Sequence, residues 1–223
     1  MAFTATDMTL ADLLQRFGPI PASRIRYDPP PGTATEQDVV ALEARETRLF
    51  ELVDGILVEK AVGFYESILA IRLARFLSEF VERHHLGIVA GADGMLRLAP
   101  GLVRIPDVSF ISWSRLPQGQ IPRQPIPDLV PDLVVEVLSE GNTPREMEQK
   151  LQDYFAAGTR LVWYVVPSRQ EVHVYTAPDQ CKVLSADQEL QGAETLPGFT
   201  FSVRRLFAEV PENPDSSDAV SGA

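Results

Sequence analysis

At 223 residues, with 45% hydrophobic and 23% charged side chains, the chain has the composition of one sizeable globular domain. With no run of about 18 apolar residues and no basic-then-apolar leader, neither a membrane span nor a secretory signal is expected, and the single cysteine, Cys181, excludes an internal disulfide and fits a reducing cytoplasm. The net charge of −11 argues against a protein that grips duplex DNA mainly through its phosphates, since such proteins are usually basic.

In chain order, Met8 to Phe17 has the apolar spacing of a short amphipathic helix, and Pro29-Pro30-Pro31-Gly32 marks a loop after it. Thr35 to Ala44 reads as a second helix with acids in its first turn. Arg48 to Lys60 alternates around Asp54-Gly55, a hairpin signal. Ser67 to Glu82 is the clearest helix, with Leu69, Leu73, Phe76 and Phe80 on one side and Leu77 widening the stripe. Its arginines Arg72, Arg75 and Arg83 read as a solvated face before they read as a DNA-binding strip. Strands are expected at Ile88 to Ala90 and Met95 to Leu98, turned at Asp93-Gly94, and then at Asp107 to Ile111, within a run from Val103 to Ser112 entered through Pro106. The segment from Leu116 to Pro131 contains five prolines. It reads as a long loop that either hangs over a site or is a plain surface excursion.

Asp132 to Ser139 is a valine-rich apolar run, the pattern of a strand buried on both faces. Thr143-Pro144-Arg145-Glu146 is a capping box with proline at the first helical position. Met147, Leu151, Tyr154 and Phe155 continue at helical spacing, and Gly158 offers a stop. Leu161 to Val166 is a further buried strand, and Glu171 to Tyr175 with Lys182 to Leu184 an antiparallel pair. Pro211 to Ala223 has three acids, Glu212, Asp215 and Asp218, and no lysine or arginine; disorder is expected there. Three regions follow: residues 1–34 as an N-terminal helix and proline-rich loop, 35–210 as the main domain, and 211–223 as an acidic tail. Helices between strands, with hairpins at both ends, indicate an α/β (α+β) domain around a central mixed sheet flanked by helices.

The chemistry gathers at three positions. Glu136 lies in the middle of the valine-rich strand, where an ionised carboxylate costs several kcal/mol unless something pairs with it. Lys150 would lie about 10 Å along the returning helix, and Glu136 about 10 Å back along its strand from the turn, so the two can meet. That meeting is either a structural ion pair or part of a site. Asp107 shifts the balance towards a site, since it opens a strand directly after Pro106, where the missing N–H is tolerated. Glu51, in the first strand of the hairpin, is either a strand-surface glutamate or a further acid near the site. Asp54 and Asp93 are turn residues.

A Pro-Asp pair on one strand, an acid in a buried strand, and a lysine resemble the active site of PD-(D/E)XK nucleases. In the plainest form the lysine stands two residues after the acid. Here Leu138 takes that place, and Lys150 on the next helix supplies the charge. The chain resembles the Uma-type restriction endonucleases over most of its length. The resemblance runs through Phe50 to Gly55, Arg104 to Val108, Asp132 to Ser139, Lys150 with Tyr154, Trp163 with Pro167, and Pro197-Gly198. It departs from them at Glu66, where many members carry a histidine, at Glu146, where an aspartate is frequent, and before Pro167, where an acid is missing.

The resemblance implies a restriction-endonuclease-like core and metal-dependent hydrolysis of DNA phosphodiester bonds. Asp107, Glu136 and the backbone carbonyl of Val137 would hold Mg²⁺ or Mn²⁺, through hard oxygen ligands of the kind Mg²⁺ takes. The metal would acidify a bound water, and Lys150 would stand at the scissile phosphate. Lys150→Ala would then remove cleavage and leave the fold intact. DNA is the expected substrate, held weakly and in a salt-sensitive way, and a homodimer would ease cutting of both strands. Two other functions compete: a binding or interaction protein that keeps the fold without the reaction, and a carboxylate hydrolase of the glycosidase type, active in EDTA. Zinc chemistry is disfavoured by one cysteine and unpaired histidines. Neither a phosphate-binding glycine loop nor a Gly-x-Ser-x-Gly elbow is present.

Overall fold

The computed structural model describes residues 8–208, so the expectation of disorder from Pro211 onward falls outside the described residues. The chain begins with α1 (Leu10–Phe17) and α2 (Glu36–Glu43), followed by the hairpin β1 (Phe50–Val53) and β2 (Ile56–Glu59). The long α3 (Phe64–Arg83) leads into β3 (Gly87–Ala90), β4 (Leu96–Ala99), β5 (Leu102–Arg104) and β6 (Val108–Ser112). Then come β7 (Leu133–Val137), α4 (Pro144–Ala157), β8 (Leu161–Val166), β9 (Glu171–Ala177) and β10 (Gln180–Leu184). The described part closes with β11 (Glu189–Gln191), β12 (Thr200–Ser202) and α5 (Val203–Phe207).

Six strands form the main sheet in the order β10-β9-β8-β7-β6-β3. Only β7 and β8 run parallel, joined by α4, so the sheet is mixed. The apolar run of β7 is explained by cover on both faces. Leu133, Val135 and Val137 pack with Leu69, Leu73, Leu77 and Val81 of α3. Val134 packs with Met147, Leu151 and Tyr154 of α4. Strand alternation therefore turns Glu136 towards the α4 side. A second, antiparallel sheet has the order β2-β1-β5-β4, with α2 residue Val39 against Leu52 and Leu57 and α1 residues Leu13 and Phe17 against Val53, Ile56 and Val58.

Several expectations hold at the level of single residues. Thr143 and Glu146 form the capping box at the start of α4, and Gly158 closes that helix with a left-handed φ of 103°. Asp54, with φ 46°, and Gly55, with φ 77°, make the hairpin turn.

The run Val103 to Ser112 divides: the strand expected from Asp107 to Ile111 is β6, in the main sheet from Val108, while Val103 and Arg104 end β5 in the smaller sheet. Pro106 sits in that break, where no ladder bond is asked of it. The proline-rich segment does not hang over the site: Leu116 and Leu129 are buried with Leu96 and Leu98 of β4, and Ile126 packs against the core of the smaller sheet. The strands β11 and β12 form a short hairpin that the sequence pattern does not reveal, since three residues are too few to display a period.

Candidate active site

Asp107 lies in the break between the two sheets, directly before β6. Its N–H donates to the Val135 carbonyl at 3.1 Å, and its Oδ2 accepts the Val137 N–H at 2.7 Å. These two bonds lock the acid onto β7, beside Glu136. Asp107 and Val137 border a cavity of about 280 Å³ that is walled by Lys60, Glu66, Ala70, Ile71 and the loop residues Ala92 and Asp93.

Behind that cavity lies a buried charged network. Lys150 is 3% exposed, with its ammonium 3.0 Å from Glu51 Oε1 and 3.2 Å from Glu136 Oε1. The Tyr154 hydroxyl donates to the same Glu136 oxygen at 2.5 Å. Glu51 also accepts from the Ile105 N–H at 3.0 Å and from Arg104 at 2.7 Å, and Arg104 reaches on to Asp153 of α4. Strand β1 contributes Glu51, β5 Arg104, β7 Glu136 and α4 both Lys150 and Asp153. The network thus ties the smaller sheet, the main sheet and one helix together.

The sequence-derived set therefore divides. Glu136, Lys150 and Glu51 come together, and Asp107 stands close enough to act on Glu136. Among these residues, only Asp107 and Val137 border the cavity. Lys150 is spent on two carboxylates, and Lys150→Ala would leave Glu51 with Arg104 but Glu136 with only the Tyr154 hydroxyl, so it is not the fold-neutral change expected from sequence. Glu51 is no surface residue, at 1% exposure. Glu146, the departure from the frequent aspartate, serves the fold, pairing with Arg24 at 2.7 and 3.0 Å while closing its capping box.

Lys60, Arg104 and Asp153 take part without having been singled out from sequence. The Lys60 ammonium is 2.9 Å from Asp107 Oδ1 and donates to the Ala92 carbonyl at 3.0 Å. The only sequence signal for Lys60 is its place at the end of an otherwise apolar strand, beside Glu59.

Burial and charge divide the two buried glutamates. Burial pushes Glu51 up, but Lys150 and Arg104 outweigh it and hold the carboxyl below its ordinary 4.5, at about 2. Burial raises Glu136 above its ordinary range, and the nearby carboxylates of Asp107 and Glu51 add to this against the pull of Lys150. Burial likewise raises the Tyr154 hydroxyl, with Glu136 adding to it, so Tyr154 stays protonated as a donor.

The two glutamates have opposite linkage signs. Glu51 contributes stability that is present above its unfolded value and lost as pH falls from 4.5 towards about 2. Glu136, with a raised value, is relieved by protonation and acts the other way. Acid titration of folding should therefore be shallower in Glu51→Gln than in the parent. Superimposable profiles would mean that Glu51 is not held ionised.

The residues present suit a hard divalent cation. The donors are carboxylate oxygens with a neighbouring backbone carbonyl. Both hydrogen bonds to Glu136 fall on Oε1, and among the described residues no donor reaches Oε2. Mg²⁺ is commonly held by one or two carboxylates, with water and substrate completing its shell. Among the described residues there is no group of three or more His, Cys, Asp or Glu side chains placed to hold a metal, so a cage made wholly of protein side chains is not formed.

Comparison with known proteins gave two findings. A family model, Uma2, described as "Putative restriction endonuclease", matches residues 36–204. The crystal structure of a "putative nuclease belonging to DUF820" from Anabaena variabilis ATCC 29413 superposes with a TM-score of 0.64 at 20% identity, over 71% of this chain and 89% of that one. At that identity the likeness is one of fold. No curated protein matches.

Proposed function

The chain belongs to the Uma2 family of restriction-endonuclease-like proteins, and on that premise we propose that it is a metal-dependent endonuclease hydrolysing phosphodiester bonds of DNA. The observation that carries this reading is Asp107, fastened through Oδ2 to the Val137 N–H and bordering the cavity with its Oδ1 against the Lys60 ammonium. Asp107 and Glu136, with the Val137 carbonyl, would hold Mg²⁺ or Mn²⁺. When bound, such an ion lowers the pKa of a water ligand and stabilises charge on the phosphate. Glu51, Lys150 and Tyr154 fix the Glu136 side chain so that its carboxylate does not swing away.

The cavity wall has acids at Glu66, Asp93 and Asp107 and a cation at Lys60. A phosphate therefore enters an acidic site, and with a net charge of −11 the protein has little general attraction for DNA. Affinity should be weak, and its fall with salt shallow, since few phosphates are neutralised.

The test is incubation of supercoiled plasmid with the full chain and Mg²⁺ or Mn²⁺. Nicking or linearisation is expected, lost with EDTA and regained with excess metal. Calorimetric metal binding without cleavage of duplex or single-stranded DNA would leave the runner-up reading, a nuclease fold retained as a binding protein. Cleavage that persists in EDTA would overturn the metal dependence.

A further inference from the structure

The lysine on the open side of Asp107 is Lys60. Its side chain is 4% exposed, and it is the one cation among the residues that border the cavity. Its ammonium sits on Asp107 Oδ1 at 2.9 Å, while Oδ2 is turned towards β7. Lys150 is as deeply buried, but its charge is divided between Glu51 and Glu136 and it touches no cavity wall. A ligand in the cavity would therefore meet Lys60 first.

We propose that Lys60 is the lysine that meets the phosphate being cleaved, with Lys150 remaining a buried counter-ion. This rests on the nuclease reading above. In hydrolysis, water oxygen forms a new bond to phosphorus and the bond to the leaving oxygen breaks, with a proton from water ending on the leaving group. Lys60 keeps its own proton throughout. It donates hydrogen bonds to a non-bridging phosphate oxygen as negative charge gathers there, which is where a fixed cation accelerates the step. The flexible four-carbon stem of lysine allows its ammonium to move from the Asp107 oxygen to the phosphate. The same ammonium competes with any cation that Asp107 would hold.

This makes two opposite expectations for Lys60→Met. Cleavage of a labelled DNA duplex in Mn²⁺ should fall by about 10²–10³-fold, mainly in kcat. Calorimetric Mn²⁺ affinity of the DNA-free protein should rise, because the competing ammonium is gone. Lys60→Arg should keep the charge and restore part of the cleavage. Should the methionine protein fail to fold, Lys60→Gln takes its place as the neutral variant, and a loss of less than threefold in it counts against the proposal.

Two results would overturn the assignment. One is folded Lys60→Met cleaving within about threefold of the parent, well short of the 10²–10³-fold loss of a fixed donor. The other is cleavage and Mn²⁺ affinity falling together, which would make Lys60 a prop for Asp107. If the parent itself cleaves no DNA with either metal, it is the nuclease reading that has failed, and this inference fails with it.

Discussion

Replacing Arg104 with methionine is expected to lower the free energy of unfolding by about 3–5 kcal/mol, the cost of breaking a buried ion pair by removing one partner. Arg104 is 1% exposed, and its guanidinium bridges Glu51 at 2.7 Å and Asp153. Burial alone would lower its pKa, but those two carboxylates outweigh this and raise it, so it stays charged. Removing it leaves Glu51 to Lys150 and the Ile105 N–H, and leaves Asp153 with Gln149 at 2.8 Å. Urea unfolding monitored by tryptophan fluorescence measures the loss. A second substitution, Glu51→Gln, should return part of it, because one stranded charge disappears. A loss below about 1 kcal/mol, the worth of a surface ion pair, would show that the network is solvated and not buried.

The reverse pattern is expected at Asp107. Asp107→Ala should reduce cleavage by on the order of 10³-fold, the several kcal/mol that a correctly held metal contributes to the transition state. Stability should fall by a smaller margin, about 1–3 kcal/mol, since the Val137 N–H loses its acceptor and the Lys60 ammonium keeps only the Ala92 carbonyl at the edge of a cavity. The two variants together separate a structural role from a chemical one. Cleavage within tenfold of the parent in Asp107→Ala would remove Asp107 from the site.

What could be read beforehand was local in origin. Thr143 and Glu146 state their capping box within four residues, and Gly158 its stop. The valine run of β7 states its double cover, and a carboxylate inside it demands a partner. The Glu136–Lys150 meeting followed from strand and helix rise alone, because only a short turn separates the two elements. Lys60 had no such signal. Its meeting with Asp107 depends on how the end of β2 in one sheet lies against the start of β6 in the other, which no periodicity encodes. The pairing of Arg24 with Glu146 is the same case: the capping box places Glu146 at the helix start, but only the packing of distant segments buries it against Arg24. The split of Val103 to Ser112 at Pro106 could be read, but not that Val103 and Arg104 pair in a different sheet from the strand that Asp107 opens.

That split has a further consequence. Ile105 and Pro106 carry the chain across from one sheet to the other, and Ile105, fully buried, hands its N–H to Glu51 on the way. Asp107, the acid proposed to hold the metal, thus stands at a seam, positioned jointly by two layers with separate cores. Any shift of one layer against the other would therefore be transmitted to this carboxylate through residues 104–107.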